Sequence, residues 1–174
     1  MPTLIEIKAH SRNADTVRQI LRKNNADFKG IDRQIDTYFN VPHGRLKLRE
    51  GNIENHLIHY FRKNQSGPKK SEVLLYKSTP DSGLKAVLEN SVGVLTVVDK
   101  KREIYFIDNV KFHIDCVRGL GNFIEIEAID TDGSISVAEL LRQCEFYIDL
   151  FGVQESDLVE DSYSDMILRK QPEP

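Results

Sequence analysis

The chain has 174 residues, 29% of them charged and 40% hydrophobic, and its 24 basic and 27 acidic residues leave a formal net charge of −3. This composition is typical of one globular domain, residues 1–174, and excludes a disordered tail and a membrane helix, which needs roughly 18 apolar residues. The two cysteines are too few for a disulfide framework, and no Cys or His cluster has the spacing of a zinc site. The start of the sequence has no apolar signal segment, so we expect a cytoplasmic protein.

Alternation of apolar and polar residues predicts about eight short strands. They are expected near residues 4–9, 31–39, 45–50, 56–62, 72–78, 96–106, 110–117 and 123–129. Short turns between several of them favour antiparallel pairing, and the basic segment Asn64–Lys70 is typical of a mobile hairpin loop.

Helical spacing of apolar residues predicts helices over 13–24, 82–90 and 136–151. Ser82 is expected to cap the second helix and Gly152 to end the third, and a short helix is expected near the C terminus. Strands and helices together indicate an α+β fold, in which an eight-stranded antiparallel sheet can close into a barrel with the helices packed outside.

Charge is unevenly distributed along the chain. The range 45–77 holds eight basic residues and three acidic ones, whereas 125–165 holds twelve acidic residues and a single arginine. Whole-chain charge does not distinguish two separate surfaces from one site that needs both signs. The acidic residues beyond Glu127 are expected on the solvated surface.

Charged side chains share one face of several predicted strands. Arg45, Lys47 and Arg49 lie on one face of their strand, and Glu125 and Glu127 lie on one face of theirs. A solvated outer face is the ordinary explanation for any one strand. Like charges ~7 Å apart repel by about 2 kcal/mol at an effective dielectric near 20, however, so three cations on a partly enclosed face require a compensating anion.

Cations and carboxylates together favour a metal-bound phosphate chain. Further cations come from Arg62, Lys77, Lys100 and Arg102, and further carboxylates from Glu6 and Asp115. Arg and Lys suit phosphate oxygens, and Mg²⁺ or Mn²⁺ is commonly held by carboxylates together with substrate phosphates. Nucleic-acid binding would instead predict excess positive charge and exposed aromatic residues.

Two motifs point to a known family. One is Asp36-Thr37-Tyr38-Phe39 followed by Gly44-Arg45-Leu46-Lys47-Leu48-Arg49-Glu50, and the other is Gly119-Leu120-Gly121-Asn122-Phe123-Ile124-Glu125-Ile126-Glu127. In this order they resemble the CYTH superfamily of triphosphate tunnel metalloenzymes, which includes class IV adenylyl cyclases, thiamine triphosphatases and inorganic triphosphatases. Both motifs are most similar to the class IV cyclase branch.

The resemblance implies a closed antiparallel tunnel that acts on ATP, tripolyphosphate or thiamine triphosphate. It implies a Mg²⁺ or Mn²⁺ cofactor held by Glu6, Asp115, Glu125 and Glu127. It implies triphosphate binding by Lys8, Arg45, Lys47, Arg49, Arg62, Lys77, Lys100 and Arg102. Among these, Lys8, Arg45, Lys100 and Arg102 are expected to act in catalysis. No nucleic acid or membrane partner is expected, and the protein is expected to be a monomer or homodimer.

The sequence departs from the family at its N-terminal E-x-E-x-K motif. Leu4 occupies the first glutamate position, before Glu6 and Lys8, and leucine cannot bind a metal. Three functions therefore stay open: a class IV cyclase-like enzyme, a triphosphatase, and a protein that binds triphosphates without turnover. An RNA-binding barrel is a fourth, which the acidic strands oppose. The five histidines show no ligand spacing, although His113 could reach the face of Asp115.

Overall fold

The computed structural model describes residues 3–61 and 63–171. Within them, strands and helices alternate in a way that matches the predicted order. The strands are β1 Thr3–His10, β2 Asp27–Phe39, β3 Arg45–Glu50, β4 Asn55–Phe61, β5 Lys69–Lys77, β6 Val94–Ile107, β7 Val110–Val117 and β8 Gly121–Asp130. The α-helices are α1 Ala14–Lys23, α2 Leu84–Val92, α3 Val137–Leu150 and α4 Tyr163–Lys170. A 3₁₀ turn covers Glu155–Asp157.

The strands form a closed barrel, which confirms the predicted α+β class. Its order is β1-β5-β4-β3-β2-β6-β7-β8, and every neighbouring pair is antiparallel. Because side chains alternate across a strand, each strand presents one set of residues to the barrel interior and the other set to the outside.

Two helices cover the apolar outer face of β1, β7 and β8. The strand residues in this core include Ile5, Ile7, Phe112, Ile114, Ile124 and Ile126, and the helix residues include Val17, Leu21, Leu140 and Cys144. Asn13 and Ser136 cap α1 and α3 by accepting hydrogen bonds from backbone N–H groups of their first turns. The helices therefore pack outside the barrel, as expected.

The fourth helix closes one end of the barrel. Inward-facing Tyr38, Val98 and Phe123 form an apolar cluster with Val159 and Tyr163, at the start of α4. The Tyr163 ring meets the Phe123 ring edge-on, with centroids 5.0 Å apart. The start of α4 therefore covers this end of the interior with apolar and aromatic side chains.

Two local predictions are wrong. Helix α2 begins after Gly83, not at a Ser82 cap, since Gly83 has a left-handed φ of 78° and provides no side-chain cap. No residue of α2 is buried, and Val87, on its predicted apolar face, is 64% exposed. Lys69, which was predicted in a loop, belongs to β5 and is fully buried. Its burial is tolerated because the backbone carbonyls of Val159 and Glu160 accept hydrogen bonds from its ammonium group.

None of the described helices is both long and apolar enough to cross a membrane.

The packing of α3 on the barrel gives a stability test. Phe112 is fully buried between the Tyr147 and Phe151 rings, whereas Phe146 is 59% exposed. Phe112→Ala is expected to lower the free energy of unfolding by about 3–5 kcal/mol, because it leaves a cavity in the core. Phe146→Ala is the matched control and should change it by less than about 1 kcal/mol. Urea unfolding measures both, and equal effects would contradict the described packing.

Candidate functional site

Strand register brings the charged residues predicted from sequence to face one another inside the barrel. The facing pairs are Glu6 with Glu127, Lys8 with Glu125, Asp36 with Arg49, Tyr38 with Lys47, and Arg102 with Asp115. Residues directly opposite on neighbouring strands have Cβ atoms about 5 Å apart. The basic and acidic segments therefore contribute to one interior site, and not to two separate surfaces.

Asp36 holds three of the predicted phosphate-binding cations. Its Oδ1 accepts a hydrogen bond from Arg49 Nε at 2.9 Å. Its Oδ2 accepts from Arg49 Nη2 at 2.8 Å, Lys47 Nζ at 3.1 Å and Lys100 Nζ at 2.7 Å. The carboxylate is buried, which by itself would raise its pKa, but the three cations hold the pKa well below its usual range.

The role of Asp36 was not predicted from sequence, although it begins a recognised motif. Asp32, Gln34 and Asp36 alternate along β2 with residues of the other face, and all three are buried. That alternation marks the same face that carries cations on β3. It is the signal that could have identified Asp36 as their partner.

Lys100 is the most strongly perturbed cation of this group. Its ammonium group is buried, and burial lowers its pKa to about 7. Asp36 opposes the shift, but Arg49, Arg102 and Lys47 reinforce it because like charges disfavour the protonated form. One carboxylate shared among three cations does not offset the loss of hydration at Lys100.

A second ion-pair centre lies around Arg102. Its guanidinium donates to both oxygens of Asp115, at 2.7 and 2.6 Å, and to Glu125 at 3.0 Å. The Tyr163 hydroxyl donates to Asp115 Oδ2 at 2.7 Å, and burial raises the pKa of this hydroxyl. Lys8 Nζ lies 3.4 Å from Glu125 Oε1 and 3.9 Å from the centroid of the Tyr163 ring. The oxygens of Asp115 are thus engaged by an arginine and a tyrosine, so its role as a metal ligand stays a prediction.

His113 joins two of the predicted metal ligands. Its Nδ1 lies 3.1 Å from Glu125 Oε2 and 3.7 Å from Glu127 Oε1, and potential ligand atoms of the three residues lie within 4.8 Å of one another. Burial lowers the pKa of His113, and the nearby Arg102 lowers it further. The neutral imidazole is the form that binds metals. Sequence spacing missed this residue as a ligand, because strand pairing brings it beside Glu125.

A second carboxylate that the sequence analysis missed is Glu54. It lies in the β3–β4 turn, where Lys111 donates to it at 2.8 Å and Arg49 lies 3.8 Å away. Asp32 fixes the turn by accepting hydrogen bonds from the backbone N–H groups of Ile53 and Glu54. Lys111 and Arg49 hold the pKa of Glu54 far below its usual range despite its burial.

Arg45 is held by the C-terminal segment. It donates to Ser162 Oγ at 2.8 Å and to Asp165 Oδ2 at 2.9 Å. The expectation that all acids beyond Glu127 only solvate the surface is therefore wrong for Asp130 and Asp157, which are buried, and for Asp165. For Asp165 the cause is the capping box of α4, in which this residue reaches back to the Ser162 N–H at the closed end of the barrel.

The remaining predicted residues lie apart from these centres. Lys77 is exposed at the end of β5, opposite His56. Arg62 lies outside the described residues. Leu4 shares the inward face with Glu6 and is half-buried, so the position of the first family glutamate contributes an apolar side chain to this part of the barrel.

Comparison with known proteins identifies the family of this arrangement. The sequence model described as the CYTH domain matches residues 3–163. That range includes all eight strands and both recognised motifs. A search of the curated proteins finds no match.

Solved structures share the fold at low sequence identity. The PH1012 protein of Pyrococcus horikoshii has 24% identity and a TM-score of 0.75, over 93% of this chain and 98% of that one. A protein of Vibrio parahaemolyticus proposed to be an adenylate cyclase has 18% identity and a TM-score of 0.75, over 95% and 97%. HpAC1 of Hippeastrum, a proposed adenylyl cyclase described as having a dominant triphosphatase activity, has 13% identity and a TM-score of 0.65, over 100% and 98%. At these identities the likeness establishes a shared fold.

Removal of the Asp36 charge tests the first ion-pair centre. Asp36→Asn is expected to lower the free energy of unfolding by about 3–5 kcal/mol, because it leaves the buried Arg49 and Lys100 and the partly buried Lys47 without their carboxylate. Asp99→Asn is the control, since Asp99 is 46% exposed and lies 3.6 Å from an exposed Arg118; it should change stability by less than about 1 kcal/mol. Chemical denaturation at pH 7 measures the free energy of unfolding of both variants. An Asp36→Asn variant as stable as the wild type would show that the burial of the cations does not depend on the Asp36 carboxylate.

Proposed function

We propose that this chain, which belongs to the CYTH domain family, is a divalent-metal-dependent enzyme that acts on a triphosphate inside its barrel. The observation that carries the proposal is that, among the described residues, six cations paired with Asp36, Glu54, Asp115 or Glu125 lie inside the barrel together with a carboxylate–imidazole group. The cations are Lys8, Lys47, Arg49, Lys100, Arg102 and Lys111. In a water-poor interior their attraction for phosphate oxygens is stronger than at a surface.

The donor set fits a divalent cation. Glu125 and Glu127 supply oxygens, His113 lies within reach of both, and Glu6 faces Glu127 across the β1–β8 pair. These are the hard oxygen donors that Mg²⁺ and Mn²⁺ accept, accompanied by one nitrogen. A divalent ion held there supplies charge neutralisation for the phosphate oxygens.

The ion pairs around Asp36 and Asp115 hold the side chains of the cations in fixed orientations, which is what catalysis requires of them. Arg49 and Arg102 are held in fixed orientations by two-point hydrogen bonds to these carboxylates, so their remaining N–H groups are positioned before any ligand arrives. Such prior positioning reduces the reorganisation required as charge develops on the transferred phosphorus. Asp36 and Asp115 therefore act as positioning residues in this proposal.

The leading reaction is the class IV cyclase type. The ribose 3′-hydroxyl of ATP attacks the α-phosphorus, the bond to the bridging oxygen breaks, and pyrophosphate leaves with cyclic AMP as the other product. The interior cations bind the phosphate oxygens and stabilise the negative charge that the leaving pyrophosphate gains.

Hydrolysis is the second candidate, and HpAC1 favours it, because a protein of the same fold and proposed cyclase identity is described with a dominant triphosphatase activity. There, water attacks the terminal phosphorus, the bond from that phosphorus to the bridging oxygen breaks, and the diphosphate portion of the substrate leaves, so that orthophosphate is the other product. The same cations serve either outcome. Leu4 removes one oxygen donor of the family motif, and binding without turnover is the third outcome that the assay must distinguish.

A product assay distinguishes these reactions. The protein is incubated with ATP, tripolyphosphate or thiamine triphosphate and with Mg²⁺ or Mn²⁺, and cyclic AMP, pyrophosphate and orthophosphate are measured separately. We expect cyclic AMP and pyrophosphate from ATP, and orthophosphate from each substrate if hydrolysis dominates. Binding of all three substrates without any product would overturn the proposed enzyme.

Matched variants locate the activity. Glu127→Gln is expected to reduce turnover at least about tenfold by removing a metal-binding oxygen. Glu145→Gln, on the exposed side of α3, should retain wild-type turnover. Equal activity of the two variants would place the reaction elsewhere.

The perturbed lysine predicts a pH dependence of binding. Since the pKa of Lys100 is lowered to about 7, its positive charge is present below that pH and is lost as pH rises through it. Affinity for tripolyphosphate should therefore fall more steeply between pH 6 and 8 in the wild type than in Lys100→Arg, which stays charged. Isothermal titration calorimetry at several pH values measures the two affinities. Their ratio is compared because protonation of the ligand affects both affinities equally and so cancels. A ratio independent of pH would contradict the assigned role of Lys100.

A further inference from the structure

One imidazole lies deep inside the barrel beside the proposed metal-binding carboxylates. His113 is at the centre of β7, is 1% exposed, and faces Glu125 of β8 in register. Its Nδ1 points at the carboxylates, 3.1 Å from Glu125 Oε2 and 3.7 Å from Glu127 Oε1. Its position is set by backbone pairing between two strands, so it does not depend on a mobile loop.

These separations are those of ligands around one ion. Donors on adjacent corners of an octahedron with bonds of about 2.1 Å lie about 3 Å apart. The nitrogen and the two carboxylate oxygens lie within 4.8 Å of one another, so small rotations of the glutamate side chains suffice to place all three around one cation. Without a metal, a proton on Nδ1 makes the hydrogen bond to Glu125. A bound cation takes the place of that proton.

The surroundings of the other ring nitrogen, Nε2, do not fix which of the two nitrogens carries the proton. His113 Nε2 is buried and has no hydrogen-bond partner within residues 3–61 and 63–171. No group there compels Nε2 to accept a hydrogen bond, so the proton can reside on Nε2 while Nδ1 presents its lone pair to a metal. Moving the proton to Nε2 therefore breaks no hydrogen bond at Nε2, and it leaves Nδ1, the nitrogen beside Glu125 and Glu127, able to bind a metal.

Nitrogen in the donor set changes which metal is preferred. Mg²⁺ favours carboxylate and water oxygens, whereas imidazole favours first-row transition ions, whose affinities rise from Mn²⁺ toward Cu²⁺. We propose that His113 is a direct ligand of the divalent ion and makes this site prefer Mn²⁺ and later first-row ions over Mg²⁺. The inference rests on the proposed function only in that a divalent ion binds at Glu125 and Glu127.

Pulsed EPR of bound Mn²⁺ tests the inference without an activity assay. The full chain is loaded with Mn²⁺ alone, and coupling of its unpaired electrons to a directly bound nitrogen is measured. The wild type is expected to show this coupling, and His113→Gln to lose it. The control is His56→Gln, since His56 lies on β4 opposite Arg49 and does not belong to the cluster of ligand atoms that His113 forms with Glu125 and Glu127; it should keep the coupling.

Metal competition provides the second measurement. The ratio of Mn²⁺ to Mg²⁺ affinity, measured by titration calorimetry, should fall at least about tenfold in His113→Gln and stay unchanged in His56→Gln. Thermal unfolding shows whether each variant is folded. If His113→Gln does not fold, the nitrogen coupling in the wild type decides the question by itself.

Failure of the inference and failure of the proposed function give different results. Suppose that Mn²⁺ binds the wild type, that its binding is weaker in Glu127→Gln, and that the wild type shows no nitrogen coupling. This result would overturn the role of His113 and leave the proposed metal site intact. Absence of Mn²⁺ binding to the wild type would overturn both.

Discussion

Pairing of charge inside a closed barrel is the constraint on which the rest of this structure depends. A barrel removes sheet edges, and it directs half of the side chains of each strand into a space with little water. Buried charges are stable only with partners, since desolvation costs several kcal/mol per ion. Asp36 pairs with Lys47, Arg49 and Lys100 at once, although it offsets the desolvation of Lys100 only in part, and Asp115 with Glu125 pairs with Arg102. The cation-rich interior can therefore fold before any anion is bound.

The same pairing prepares the interior for a ligand. Two-point hydrogen bonds hold the guanidinium groups of Arg49 and Arg102 by one edge. In the proposed function, phosphate oxygens would meet groups whose orientation has already been set, which lowers the entropy lost on binding. Lys100 differs from the two arginines, which stay charged. Its burial among other cations makes its charge sensitive to pH near neutrality.

The C-terminal segment joins fold and site. Tyr163 packs against Phe123 at the closed end of the barrel, and its hydroxyl reaches Asp115. Asp165 holds Arg45 from the same helix. Apolar closure of the barrel and orientation of two charged side chains thus depend on a single short helix, whose capping box fixes where it starts.

The sequence by itself determined the strands, the bounds of α1 and α3 to within a residue, several of the inward cations and carboxylates and, through two motifs, the family. These follow from period-two and period-3.6 patterns, which are local properties of the chain. The prediction of helix α2 was incomplete because none of its residues is buried, contrary to the usual rule for an apolar helix face. Only the tertiary structure decided that Asp36 and Glu54 are the partners of the cations, that Asp165 reaches Arg45, and that His113 lies beside Glu125. These contacts join residues on different strands, turns and helices, and strand register, which no local pattern specifies, sets their distances.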